Sequence, residues 1–176
     1  RIDDSAPEDY TVYLNNTDAR VDNPVFGDTA PTSTVFSFNT GTDNQNYISY
    51  CFTEKKGFSK FGKWIGNENA NGPFIYTGFK PAWVMWRRTS AALENWYIDD
   101  NKREPFNDSS MTVLYPNLTN ADGNLSDEID LLSNGFKIKG TNSAHNTSGQ
   151  TYIFMAFAEN PFVANDSGTA VPVTAR

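Results

Sequence analysis

The chain has 176 residues, enough for one domain or slightly more, and carries a formal net charge of −7. This acidic balance argues against a nucleic-acid partner, which needs a basic patch to displace counterions. No apolar stretch approaches the roughly 20 residues of a membrane span, so membrane insertion is not expected. Cys51 is the single cysteine, which excludes an intrachain disulfide. Aromatic residues make up 14% of the chain and, with many Asn, Gly, Ser and Thr, favour strands joined by polar turns.

The first third of the chain contains three predicted strands separated by turn-rich stretches. Residues 1–10 are acidic and are expected to form an arm. Strands are predicted at Tyr10–Leu14, Val35–Phe38 and Tyr47–Phe52. The last of these is apolar on both faces, which is typical of a central strand in a sandwich. Cys51 lies within it and is expected to be a buried structural residue.

The rest of the chain alternates short predicted strands with turns about every 8–12 residues. These strands are Phe74–Tyr76, Ala82–Arg88, Asn95–Ile98, Met111–Tyr115, Gly135–Ile138 and Tyr152–Ala158. Residues 99–130 are expected to be mostly loop, and no stretch has helical periodicity. The pattern predicts an all-β fold, an antiparallel β-sandwich that is jelly-roll-like (concanavalin-like), with long loops and extended terminal arms.

Three segments of the front half recur in the same order in the back half, which indicates a duplicated unit. The pairs are Val12–Asn16 with Trp96–Asp100, Ser33–Phe38 with Ser133–Ile138, and Tyr47–Glu54 with Tyr152–Glu159. The number of residues between the two members of a pair grows from the first pair to the last, as loop insertions in one copy would produce. We therefore divide the chain into an N-terminal arm plus the rear half of a first repeat (1–56), a complete sandwich repeat (57–162) and a C-terminal tail (163–176).

An ordered set of short sequences gives the chain a family resemblance. They are Tyr47–Glu54, Gly57–Gly62, Gly72–Pro81, Asn95–Ile98, Leu132–Phe136 and Tyr152–Phe162. Together they resemble a repeated domain of unknown function found in structural proteins of marine tailed bacteriophages, among them tail-fibre, appendage and other virion proteins. The resemblance covers about Val12 to Phe162. It implies a β-sandwich module on the virion surface, and it supplies no catalytic residues.

The polar candidates for chemistry are one histidine and several carboxylates. His145 lies in a segment with the composition of a hairpin turn, and is expected to be exposed to solvent. A glycosidase needs only two carboxylates, and the candidates are Asp99 and Asp100, which follow a predicted strand, and Asp127, Glu128 and Asp130, which precede another. Nothing in the sequence indicates the raised pKa that a general acid needs. A clustered set of oxygen ligands could bind calcium, without the spacing of an EF-hand: Asp122, Asn124, Asp127, Glu128 and Asp130. No other metal or cofactor is expected.

Aromatic and basic side chains are the candidates for binding surfaces. Trp83 and Trp86 are three positions apart on one predicted strand, so their side chains should face opposite sides. Interfaces are enriched in Trp, Tyr and Arg, so a subunit contact or a glycan site is predicted among Trp64, Trp83, Trp86, Arg87 and Arg88. For Trp64 core packing is the default.

These observations favour a non-enzymatic virion component: a fibre, appendage or capsid-decorating module that forms a homo-oligomer with other virion proteins nearby. Attachment to a host-surface glycan would be an added role. The alternative is a carbohydrate-binding module or lectin, with or without calcium. A glycan-degrading enzyme that uses the acidic loop residues is the third hypothesis.

Overall fold

The computed structural model describes residues 10–39, 45–103, 107, 110–126 and 129–161. Its strands are β1 (Tyr10–Thr11), β2 (Val21–Asp22), β3 (Ser59–Ile65), β4 (Asn71–Tyr76), β5 (Pro81–Arg88), β6 (Tyr97–Asp100), β7 (Ser110–Val113), β8 (Gly123–Ser126), β9 (Ile129–Leu132), β10 (Gly135–Lys139) and β11 (Thr151–Ala158). The helical content of these residues is one 3-10 turn, Pro24–Phe26. Within the described part of the chain, no helix has the length and apolar character needed to cross a membrane.

The strands form two antiparallel sheets that pack against each other. One sheet has the order β3-β11-β5-β6 and the other the order β4-β10-β9. The β7-β8 hairpin continues the first sheet, because Ile98 in β6 and Leu114 after β7 form an isolated bridge. Strands β1 and β2 form a separate two-stranded ribbon. The predicted all-β, antiparallel sandwich is confirmed.

The core lies between the two sheets and is rich in aromatic side chains. In β5, Val84 and Trp86 face inward, while Trp83 and Met85 face the other side, as the period of two requires. Trp64 of β3 stacks on Tyr152 of β11, with ring centroids 5.1 Å apart. The three-stranded sheet contributes its own buried side chains: Ile75, Ile129, Leu131, Phe136 and Ile138. Burial of these aromatic and aliphatic side chains stabilises the fold through the hydrophobic effect.

The outer face of the four-stranded sheet is also apolar, and the N-terminal segment partly covers it. Met85, Trp96 and Ile153 form a second buried cluster, against which Val12 packs. The segment is fixed by backbone hydrogen bonds from the N–H of Arg20 to the carbonyl oxygen of Thr89 (3.0 Å) and from the N–H of Glu94 to that of Thr17 (3.3 Å). This covering explains why β11 and β5 are apolar on both faces.

Two glycines permit close backbone approach where the sheets meet their loops. A Cβ atom at Gly66 would lie 2.2 Å from the carbonyl oxygen of Thr147, and one at Gly135 would lie 2.1 Å from that of Ile75. Either contact is far below van der Waals distance, so a larger residue would force the backbone apart.

The front of the chain differs from the sequence prediction. Residues 35–38 and 47–52 belong to no strand, and Tyr10–Leu14 contributes only the two residues of β1. Cys51 is an exposed free thiol, so the prediction that it is buried is wrong. Strand β8 lies in the stretch expected to be mostly loop. The arm before Tyr10 and the tail after residue 162 lie outside the described residues.

Candidate functional site

The five predicted interface residues divide into buried and partly exposed groups. Trp64, Trp86 and Arg87 are buried within the chain. Trp64 and Trp86 pack in the core between the sheets, and Arg87 binds the N-terminal segment. A subunit or glycan contact at these three positions stays a prediction. Trp83 and Arg88 keep partial exposure. Trp83 leans on Phe157 of β11, with ring centroids 5.6 Å apart.

Arg87 binds the N-terminal segment to the sheet. Its guanidinium donates to the carbonyl oxygens of Tyr13 (2.9 Å) and Asp18, and it lies over the ring of Trp96. Trp96 donates its Nε1–H to the same carbonyl of Tyr13, at 2.8 Å. Burial lowers the pKa of Arg87, and the Asp18 carboxylate opposes that effect. The Arg87 side chain therefore connects β5 to residues 13–18 by hydrogen bonds.

Arg88 is also used inside the chain. It forms an ion pair with Glu94, and it donates to the hydroxyl of Thr147 at 3.1 Å. Both charged side chains of the pair are largely shielded from solvent. The pair connects the end of β5 to the loop before β6 and to the loop before β11, so its role in this structure is to fix loops at one end of the sandwich.

The segment 140–149 folds inward over that same end of the sandwich, so the predicted exposure of His145 is wrong. The Nε2–H of His145 donates to the carbonyl oxygen of Lys139 at 2.6 Å, and its own carbonyl accepts from Nε1 of Trp64 at 2.9 Å. Asn146 is fully buried beside it. Its side chain bonds the loop between β3 and β4 at Asn67 and Asn69. The turn-like composition of this segment gave no indication that it contains a buried polar cluster.

The carboxylates near the end of β6 are held by basic neighbours. Asp100 accepts from the guanidinium of Arg103 at 2.6 and 2.9 Å. Burial alone would raise the pKa of Asp100, but the hydrogen bonds from Arg103 and from the backbone N–H of Lys102 lower it overall. The hydrogen bond from Lys80 lowers the pKa of Glu159. A general acid needs the opposite shift, so these two groups are set up as structural anions.

These lowered pKa values predict acid sensitivity of the fold. A carboxylate with a depressed pKa contributes stability above its unfolded pKa and loses it as the pH falls through the folded value. We therefore expect the urea midpoint to decline below about pH 4. The variant Asp100→Asn should be less stable than the parent at about pH 6, and the difference should shrink as the pH falls to about 3. Urea titrations of both proteins across this range measure it, and a difference of constant size would contradict the assignment.

The predicted calcium ligands are only partly described. Asp122 and Asn124 are exposed, Asp130 pairs with Lys139 at 3.4 Å, and Asp127 and Glu128 lie outside the described residues. Among the residues that can be described, no group of three or more His, Cys, Asp or Glu side chains is placed to hold a metal ion. Calcium binding at this loop stays a prediction.

A group of exposed apolar side chains is the main surface feature of the described residues, and none of them was a predicted site residue. We call it the aromatic strip; it comprises Val35, Phe36, Phe38, Tyr47, Ile48, Tyr50, Phe52 and Phe58. Part of it packs on itself, since Phe38 meets Tyr47 edge to face at 5.2 Å. Phe52 contacts Phe61 and Phe157 on the outer face of the four-stranded sheet. The strip was missed because its residues had the pattern of buried strands.

An open cleft of about 1000 Å³ separates the aromatic strip from the N-terminal segment and the sheet. Its sandwich side is formed by Val12, Trp96 and Ile153, and its other side includes Phe36 and Phe52. The walls are mostly apolar. The cleft and the strip together form the candidate site, which is suited to burying apolar protein surface rather than to polar chemistry.

Comparison with known proteins gives one family. A family model described as a domain of unknown function (DUF7483) matches residues 3–161. This range includes residues 56 and 57, the predicted boundary between the first two parts of the chain. No curated protein and no solved structure matches the chain.

Proposed function

Because the chain belongs to the family described as a domain of unknown function (DUF7483), we propose its role from its own residues and surface: it is a non-enzymatic structural module of a bacteriophage virion. The module belongs to a fibre, an appendage or a capsid decoration. It works in assembly as a homo-oligomer among other virion proteins, and in attachment to the host surface.

The aromatic strip is the main observation that supports the assembly role. Soluble monomers seldom expose contiguous apolar patches of this kind, and such patches mark protein contacts. Aromatic side chains are the residues that interfaces favour. The rest of the described sandwich has a well-packed core, so the strip is a local feature and not a sign of a poorly packed fold.

The polar chemistry of the described residues is compatible with a structural role. His145, Arg87 and Arg88 are used to join loops and the N-terminal segment to the sheets. The carboxylates of Asp100 and Glu159 have lowered pKa values and basic partners. These side chains bind other parts of the same chain, which leaves them engaged in holding the fold.

The virion assignment rests on the resemblance of the ordered sequence set between Val12 and Phe162 to phage structural proteins. Immunogold electron microscopy tests it: antibodies raised against the chain should label particles of the phage that encodes it at one kind of site. Size-exclusion chromatography with light scattering should give a homo-oligomer. Particles that carry no label, or a chain that stays monomeric at all concentrations, would contradict the proposal.

One observation favours carbohydrate binding as a second candidate. Phe74 and Tyr76 lie two residues apart on β4, one of the two edge strands of its sheet, and are 46% and 65% exposed. Side chains at this spacing share a face, and exposed aromatic rings can stack on sugars. A glycan array probed with the parent and with Tyr76→Ala, with and without EDTA, tests both this site and the calcium prediction. If neither protein binds a glycan on the array, carbohydrate binding at this site is ruled out.

A further inference from the structure

Outward-facing aromatic rings meet at the end of the four-stranded sheet where β5 begins and β11 ends. We call this group the Phe157 cluster; it comprises Phe52, Phe58, Phe61, Trp83 and Phe157. We propose that the cluster and the lysines around it bind an acidic polysaccharide in which neutral and carboxylate-bearing sugars alternate. The proposal rests on the proposed attachment to the host surface, and it names the class of ligand that is bound there.

The rings of the cluster are held in place by contacts to Phe157. Its ring centroid lies 5.6 Å from that of Trp83 and 5.9 Å from that of Phe58. The centroids of Phe52 and Phe61 lie 6.0 and 6.1 Å away. Phe52 and Phe58 are nevertheless 61% and 41% exposed, and the other three rings keep partial exposure. Rings that are both fixed and exposed can stack on sugars at little cost in side-chain ordering.

Cations outnumber carboxylates on the surface around the cluster. Each carboxylate described on this surface is already paired with one cation: Glu54 with Lys60, Glu159 with Lys80, and Asp100 with Arg103. Three more lysines are exposed and form no ion pair with the described residues: Lys55, Lys56 and Lys102. This end of the sheet therefore has a local excess of positive charge, in a chain whose net charge is −7.

The lysines without an ion pair flank the cluster at both edges of the sheet. Lys55 and Lys56 lie just before β3, and Lys102 lies in the turn after β6. Because β3 and β6 are separated by three strand spacings, the two groups of cations are about 14 Å apart. The hydrogen bond from Lys80 and the charges of Lys80 and Lys102 lower the pKa of Glu159. Positive potential therefore extends across this end of the sheet.

The spacing of charges and rings favours a polysaccharide over other anionic polymers. A ligand that lies across the sheet meets cations at both edges and apolar rings between them, which suits a polymer with separated charges. A single-stranded nucleic acid has a phosphate at every nucleotide, so its charge is denser than these lysines can match. Protein interfaces are enriched in Arg and depleted in Lys, whereas five of the six cations here are Lys.

The Phe157 cluster adjoins the surface that supports the assembly role. It shares Phe52 and Phe58 with the aromatic strip, and the other six residues of the strip are left for contact with another protein. Ligand binding and assembly therefore use neighbouring parts of one surface.

Tryptophan fluorescence reports binding at this site directly. Of the four tryptophans, Trp64, Trp86 and Trp96 are buried, and Trp83 of the cluster is partly exposed. The 176-residue chain is titrated with hyaluronate, a polysaccharide in which every second sugar carries a carboxylate. We expect a saturable change in emission from the parent chain. The Trp83→Phe variant should show no such change.

Three other polymers separate the contribution of the sugar rings from that of the charge. Dextran has sugar rings without charge, poly-L-glutamate has charge without sugar rings, and oligothymidylate is a single-stranded nucleic acid. We expect hyaluronate to bind at least about tenfold more tightly than each of them. Absence of hyaluronate binding would overturn the proposal. Binding of poly-L-glutamate or oligothymidylate as tightly as hyaluronate would also overturn it, because the site would then recognise an acidic protein or a nucleic acid.

Variants compared by electrophoresis in hyaluronate-containing gels test the residues themselves. The double variant Lys55→Gln, Lys56→Gln and the single variant Trp83→Ala should each bind about tenfold more weakly. The matched control Lys137→Gln, Lys139→Gln removes two charges from the outer face of the other sheet, and its affinity should stay within about twofold of the parent. Circular dichroism checks that each variant is folded.

Equal weakening in the two double variants would overturn the proposal, since net charge alone would then set the affinity. The virion and assembly roles are tested separately by electron microscopy and light scattering. A chain that labels particles without binding hyaluronate refutes this inference alone, whereas unlabelled particles refute the proposed function and leave the measured binding in place.

Discussion

Replacing Trp64 with alanine is expected to lower the free energy of unfolding by about 3–5 kcal/mol, the usual cost of removing a large buried aromatic side chain. Trp64 stacks on Tyr152 at 5.1 Å and meets Phe136 edge to face at 5.8 Å. It also donates a hydrogen bond from Nε1 to the carbonyl oxygen of His145 at 2.9 Å. The substitution therefore opens a cavity between the sheets and removes the donor to a buried carbonyl. Urea denaturation followed by circular dichroism measures the loss.

Two variants separate the packing and hydrogen-bond effects. Trp64→Phe keeps an aromatic ring in the stack and loses the Nε1 donor, so a smaller loss of about 1–2 kcal/mol is expected. Trp83→Ala removes a partly exposed tryptophan from the outer face of the same sheet, and should cost about 1–2 kcal/mol. Equal losses for Trp64→Ala and Trp83→Ala would show that the inner layer is not the main core.

Most strands of the back half were predictable because their periodicity reports burial within this chain. Strands were predicted at Ala82–Arg88 and Tyr152–Ala158, and these residues form β5 and β11, both central in the four-stranded sheet. The three-residue offset between Trp83 and Trp86 correctly placed them on opposite faces. Strand β8 was missed because its sequence, Gly-Asn-Leu-Ser, is short, polar and typical of a turn.

The buried polar groups were not predictable from local sequence. Arg87 resembles a surface residue at the end of a strand, and it is buried only because residues 13–18 cross over it. His145 lies in a turn-like sequence, and its burial depends on the loop folding back against β3. In both cases one contact joins residues more than 70 positions apart in the chain: Arg87 with Tyr13, and His145 with Trp64.

The aromatic strip shows a different reason why a sequence-based prediction of strands can fail. Its residues carry the alternation of central strands, and the described residues 35–38 and 47–52 form none. A hydrophobic pattern encodes the faces that are to be buried, while forming a strand also requires backbone partners on either side. The pattern therefore identifies residues suited to a strand, and it does not show whether backbone partners are present.

Asn146→Ala is expected to destabilise the fold by about 3 kcal/mol, because the fully buried side chain and its hydrogen bonds to three backbone groups are lost at once. The side-chain oxygen accepts from the N–H of Asn67 at 2.9 Å, and the side-chain nitrogen donates to the carbonyls of Asn69 (2.9 Å) and Gly140 (2.7 Å). These bonds hold the β3–β4 loop against the loop before β11. Asn146 thereby joins the two sheets at one end, and urea denaturation measures the cost of losing it.

The variants Asn146→Asp and Asn120→Ala test whether the hydrogen bonds are the cause. Aspartate keeps the shape and the acceptor toward Asn67 but turns a second oxygen toward two carbonyls, so its loss should be at least as large as that of alanine and should lessen at low pH. Asn120 is exposed, and its replacement should change stability by less than about 0.5 kcal/mol. A loss below about 1 kcal/mol for Asn146→Ala would mean that water replaces the amide freely, and that the loops do not depend on it.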